Sequence, residues 1–90
     1  MARHERTFEI VNALGLHARA AAQLVQAANR YRAEIHVEKD GMQVNGKSIM
    51  GVLTLAAAKG TTILVSCEGE DAHEAMTALA KVIENGFGEQ

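Results

Sequence analysis

Between Thr7 and Gly86 the apolar residues keep changing their spacing, from every second position to every third or fourth and back. That rhythm restricts the chain to a sheet interleaved with helices, because a period of two marks a strand and a period of roughly 3.6 marks a helix. Thr7 to Val11 alternates with Phe8 and Ile10 on one face and ends at Asn12. From Ala18 to Asn29 the apolar Ala21, Leu24, Val25 and Ala28 oppose Arg19, Gln23, Gln26 and Arg30, the pattern of an amphipathic helix. Residues 33–38 alternate again, and Asp40-Gly41 predicts a tight hairpin into Met42-Gln43-Val44. Ser48 is placed to cap a short helix carrying Ile49, Met50, Val52 and Leu53, which runs out before Lys59-Gly60. Thr62 to Cys67 is rich in β-branched residues and reads as a well-buried strand. Asp71 opens a last helix whose core side is marked by Ala72, Ala75, Met76, Leu79, Val82, Ile83 and Gly86. The order βαββαβα predicts an α+β fold, a four-stranded antiparallel sheet with three helices on one face. The pattern leaves the strand order open.

Ninety residues without an internal repeat or linker predict a single domain over 1–90, near the lower size limit for one hydrophobic core. Cys67 is the only cysteine, so no intramolecular disulfide can form and a reducing, cytoplasmic setting is expected. The start, Met1-Ala2-Arg3-His4-Glu5-Arg6, is charged and followed by no signal-like apolar run. No segment approaches the ~20 apolar residues of a membrane-spanning helix. A net charge of −2 offers nucleic acid no attraction, and Phe8, Tyr31 and Phe87 build no base-stacking platform. These balances argue against an RNA-binding module and favour protein partners.

The chemistry concentrates at Gly15-Leu16-His17-Ala18-Arg19-Ala20-Ala21-Ala22, where a glycine-flexed loop enters the first helix. The first N–H groups of a helix lack intrahelical partners and carry the positive end of its dipole, so an anion there finds several donors. A phosphoryl group on the imidazole of His17 would be such an anion. The same positive end favours the neutral, nucleophilic ring over a second cation. Arg19 adds a guanidinium that can fork onto phosphate oxygens, and the amides of Ala18 and Ala20 complete the expected phosphate-binding set.

Two motifs carry a family resemblance. Gly15-Leu16-His17-Ala18-Arg19 is similar to the active-centre signature of the HPr-type phosphocarriers of the bacterial phosphotransferase system, and Val44-Asn45-Gly46-Lys47-Ser48-Ile49-Met50-Gly51 resembles that family's regulatory-serine motif. The resemblance runs from about Thr7 to Gly88 and includes Ala58-Lys59-Gly60 and Glu68-Gly69-Glu70-Asp71. It departs at Ala20, where the family usually has proline. The resemblance implies an open-faced sandwich with strand order 1-4-2-3 and a monomeric carrier that does not turn over by itself. It further implies that His17 accepts phosphate at Nδ1 from phospho-enzyme I and passes it to IIA-type domains of sugar permeases. Ser48 is by resemblance the target of a serine kinase and phosphorylase, although serine is also a good N-cap in its own right. No cofactor or metal is implied. A nitrogen-related regulatory paralogue of the same family is one alternative. An acylphosphatase-like enzyme, which shares a βαββαβ order and uses an arginine on phosphate, is a second and would have to hydrolyse its substrate unaided.

Around the histidine, Leu16, Ala22, Ile49, Met50 and Leu53 form an expected exposed docking patch, since a short helix cannot bury Ile49, Met50, Val52, Leu53 and Leu55 together. Methionine suits a surface that meets several partners in turn. His4, His36 and His73 read as surface residues, with His36 between Glu34 and Glu38 only a weak metal candidate. Cys67 shares a face with Ile63 and Val65, as an inert buried thiol would.

Overall fold

A computed structural model describes residues 2–89. Strand β1 spans Arg3–Glu9, helix α1 Ala18–Ala28, β2 Glu34–Lys39, β3 Met42–Asn45, α2 Ile49–Thr54, β4 Thr62–Glu68 and α3 Ala72–Glu84, followed by a 3-10 turn at Gly86–Gly88. All strand pairs are antiparallel, and the sheet order is β1-β4-β2-β3. Helices α1 and α3 pack together over the sheet, and α2 packs on α1 and β3.

Register explains the pattern of burial. Val65 of β4 lies between Arg6 of β1 and Val37 of β2, and Cys67 lies between His4 and Ile35. Flanked on both sides, β4 buries Ile63, Val65 and Cys67 on the helix face and Ser66 on the other. The side chains of β2 divide as the alternation predicts: Ile35 and Val37 are buried, and Glu34, His36 and Glu38 are at least partly open to solvent. Burial pushes the Cys67 thiol up to about 11, which keeps it protonated and inert at neutral pH. The Asp40-Gly41 hairpin has φ of 52° and 83° at its two central residues, the pair of positive angles that a two-residue turn matching the strand twist requires.

Three boundaries differ from the sequence reading. Strand β1 begins at Arg3, four residues before Thr7, because it pairs with β4 as far as Glu68. Its early residues are polar even on the helix side, where Arg6 stacks over Phe8 and reaches Glu84 of α3 at 3.3 Å. Polarity hid the alternation. Ile10, read as strand, lies just beyond it yet is fully buried and bonds Thr61 and Gly60 through its backbone. Gly86, read as the end of the last helix, belongs instead to the turn, since the helix stops at Glu84. Helix α2 stops at Thr54, and Ala56 turns the chain with a φ of 49°.

Among the described residues, no helix is long and apolar enough to cross a membrane. Nor do any three histidine, cysteine or acidic side chains among them lie close enough together to hold a metal ion.

Candidate phosphoryl-carrier site

His17 is the N-cap of α1, in extended geometry with φ −73° and ψ −179°. Gly15 puts it there. The glycine has a φ of +68°, and a Cβ on it would lie 2.4 Å from the carbonyl oxygen of Ala57, so no other residue fits without rearrangement. Leu16 ties the loop down by donating its N–H to the same carbonyl, at 2.8 Å. The first intrahelical bond at this end runs from the Ala21 amide to the His17 carbonyl. The amides of Ala18, Arg19 and Ala20 therefore occupy the first-turn positions that have no intrahelical partner. His17 itself supplies no side-chain cap to them.

The imidazole is turned the other way. Its Nε2 is hydrogen-bonded to Oε2 of Glu89, while Oε1 of that carboxylate accepts from Nδ2 of Asn12 at 2.9 Å. Asn12 is buried and also donates to the Gly15 carbonyl at 2.8 Å, so one amide group braces both the loop and the acid. The bonds from Asn12 and His17, in that order, hold the Glu89 carboxyl below the usual carboxylate range against the opposing effect of burial. His17, Ala18, Arg19 and Glu89 line a shallow pocket together with Ala13 and Leu14.

Sequence reasoning named no acid beside the histidine, and the structure supplies one. Glu89 lies 72 positions away in the chain. It is delivered by three successive positive φ angles at Gly86, Phe87 and Gly88, of 62°, 56° and 74°. Phe87 is a non-glycine in the left-handed region, a strained geometry that its burial at 2% exposure holds in place. The only signal in the sequence was an aromatic between two glycines after the last helical residue.

The expected docking residues divide. Met50 and Ile49 are 72% and 43% exposed, as the surface reading requires. Leu53 and Ala22 are half-buried, with Leu53 packed against the core. Leu16 is a correction: it is buried, because its backbone bond to Ala57 pulls the side chain into the core. Three exposed apolar residues were not anticipated, Leu14 at the pocket, Val11 before it and Met42 at the start of β3. Ser48 caps α2 as expected, its Oγ accepting from the Gly51 amide at 3.1 Å. Asp71 stands at the N-cap of α3 but makes no side-chain cap bond, and its carboxylate instead accepts the backbone amides of Arg32 and Ala33, each at 2.9 Å.

Comparison with known proteins shows the family. The family model described as the PTS HPr component phosphorylation site matches residues 4–85. The phosphocarrier protein HPr of Neisseria meningitidis is 49% identical over 85 residues, which cover 94% of this chain and 96% of that protein. The crystal structure of HPr from Thermoanaerobacter tengcongensis is similar at a TM-score of 0.93 and 48% identity, covering 97% of this chain and 98% of that one. A structure described as an HPr dimer from the same organism matches at a TM-score of 0.78 and 49% identity, covering 96% and 99%. With its strand order, its histidine at the N-cap position of α1 and this likeness over nearly its whole length, the chain belongs to the HPr family, the phosphocarrier proteins of the phosphotransferase system, and is a carrier of phosphoryl groups and not a catalytic enzyme.

Proposed function

We propose that His17 accepts a phosphoryl group at Nδ1 from phospho-enzyme I and passes it to IIA-type domains of sugar permeases. The observation that carries this reading is the division of labour at the ring. Nε2 is engaged by Glu89, and the uncapped amides of Ala18, Arg19 and Ala20 sit at the start of the helix that His17 caps. With Nε2 protonated and bonded, the lone pair resides on Nδ1. Arg19 is exposed beside the same pocket and supplies a cation for the phosphate oxygens. A phosphoramidate transfers readily, so the carrier has only to position and solvate the anion.

Ser48 is the regulatory position in this reading. Its modification would place nearly two negative charges beside the exposed Ile49 and Met50, on the face that partners meet, with Leu53 and Ala22 at its edge. Leu16 has no part in docking. The carrier works as a monomer in the cytoplasm, as one domain over 1–90.

The test is incubation with enzyme I and phosphoenolpyruvate, followed by intact mass measurement before and after acid treatment. One acid-labile phosphate is expected on the parent and none on His17→Ala. Labelling of His17→Ala by enzyme I overturns the assignment.

A further inference from the structure

Away from His17, two other histidines meet. His4 stands in β1 directly opposite Cys67, whose side chain is buried on the helix face, so the two side chains share that face of the sheet. Helix α3 packs over the same strand and brings His73, from its first turn, to the His4 ring. The ring centres are 5.7 Å apart and the ring planes cross at 56°. Two imidazoles that share one tetrahedral ion through nitrogen bonds of about 2.0–2.1 Å have ring centres roughly 5 Å apart, so small side-chain rotations bring this pair into range. His73 is exposed and His4 half-buried, which leaves an ion a way in from solvent.

We propose that His4 and His73 form a two-histidine clamp for a divalent transition-metal ion of the zinc, nickel or copper class. The donor set decides the class. Imidazole nitrogen suits these ions, whereas magnesium and calcium seek shells of oxygen. No third histidine, cysteine or carboxylate among the described residues completes the set, so water supplies the other ligands of the ion. Cys67 is next to His4 in the register, but its thiol is fully buried and stays protonated at neutral pH. With only two protein ligands the clamp takes up and releases its ion, unlike a closed structural site with four.

The ion would join β1, an edge strand of the sheet, to a helix that the chain forms only after the other three strands. Unfolding separates the two rings. An ion that bridges them therefore binds the folded state in preference and stabilises it. The clamp stands apart from the reading of His17 and does not depend on it.

The experiment titrates zinc chloride into the protein by calorimetry and reads the melting temperature with and without the ion, for the parent, His4→Gln, His73→Gln, His17→Gln and His36→Gln. Loss of a direct ligand should cost at least the roughly tenfold in affinity that loss of an outer partner costs, so His4→Gln and His73→Gln should each bind zinc about tenfold more weakly or worse. Both should also lose the rise in melting temperature that zinc gives the parent, while His36→Gln keeps it and magnesium chloride gives none. Each variant is compared with its own ion-free melting temperature, so a loss of stability from the substitution itself does not imitate a loss of the ion. Zinc affinity that survives either His4→Gln or His73→Gln overturns the clamp, because one ring alone would then be the ligand. A parent that zinc does not stabilise overturns it too, as does an affinity that falls with His17→Gln or His36→Gln instead.

Discussion

The starts of α1 and α2 are built oppositely. At α2, Ser48 folds its own hydroxyl back onto the Gly51 amide, so the helix end is closed by the residue that begins it. At α1, His17 holds the same position but gives its side chain to Glu89 and leaves the first-turn amides open. A third start, at α3, is again different, because the Asp71 carboxylate clips the Arg32 and Ala33 amides of the loop before β2. A cap that turns inward stabilises its own helix, and one that turns outward leaves a site for something else. Only the α1 start joins open amides to a nucleophilic ring.

The strongest way to break this contrast is to disturb the loop that sets the α1 start. Gly15→Ala places a Cβ 2.4 Å from the Ala57 carbonyl oxygen at a φ of +68° and should destabilise by about 2–4 kcal/mol, read from urea unfolding. An unchanged unfolding midpoint would show that the approach of this loop to Ala57 does not set the position of His17.

The α3 start gives a prediction in pH. The amides of Arg32 and then Ala33 hold the Asp71 carboxyl below its ordinary value in the folded protein, while the unfolded chain titrates normally. The unfolded state thus takes up its proton first on acidification, and the stabilisation is complete above the ordinary carboxylate value and lost as pH falls through the folded one. The parent should lose melting temperature over that acid range, and Asp71→Asn should lose less. Equal acid slopes for the two proteins would mean that the clip makes no difference to stability.

At α2, Ser48→Ala removes the cap and should lower stability by about 1 kcal/mol. Ser48→Asp keeps an acceptor with charge suited to a helix start, so its melting temperature should stay near the parent's. It should still slow phosphorylation of His17 by enzyme I, through like-charge or desolvation costs in the complex. Transfer at the parental rate would leave Ser48 a cap and nothing more. The smallest effect is expected from Ala20→Pro. Ala20 lies in the first turn of α1, where proline loses no intrahelical bond, so stability should change by less than about 1 kcal/mol. Transfer should hold within roughly tenfold, or about 1.4 kcal/mol in the barrier. A hundredfold slower acceptance by a normally folded variant would mean that the phosphate depends on the Ala20 amide.

Most of the architecture was legible because its causes are local. The helix period from Ala18, the Asp40-Gly41 turn and the Ser48 cap each depend on residues within a few positions of one another, and each stands where the spacing put it. The first strand was legible only in part. Its Arg6, exposed on the helix side, is tied down by Phe8 and Glu84, and no window of sequence around residue 6 contains Glu84. Leu16 was misplaced for a similar reason, since the Ala57 carbonyl that draws it inward is 41 positions away.

The sequence by itself determined the local frame of the proposed phosphate site: a histidine at the mouth of an amphipathic helix, with a glycine before it and an arginine after it. That follows from short-range geometry, which a linear string of residues records directly. Only the tertiary structure decided which ring nitrogen is engaged and by what. The Asn12 to Glu89 bond joins positions 77 apart, and the Glu89 to His17 bond joins positions 72 apart. Such contacts exist only once the core has seated Phe87 and carried the chain end back to the helix start, and no local period encodes that return.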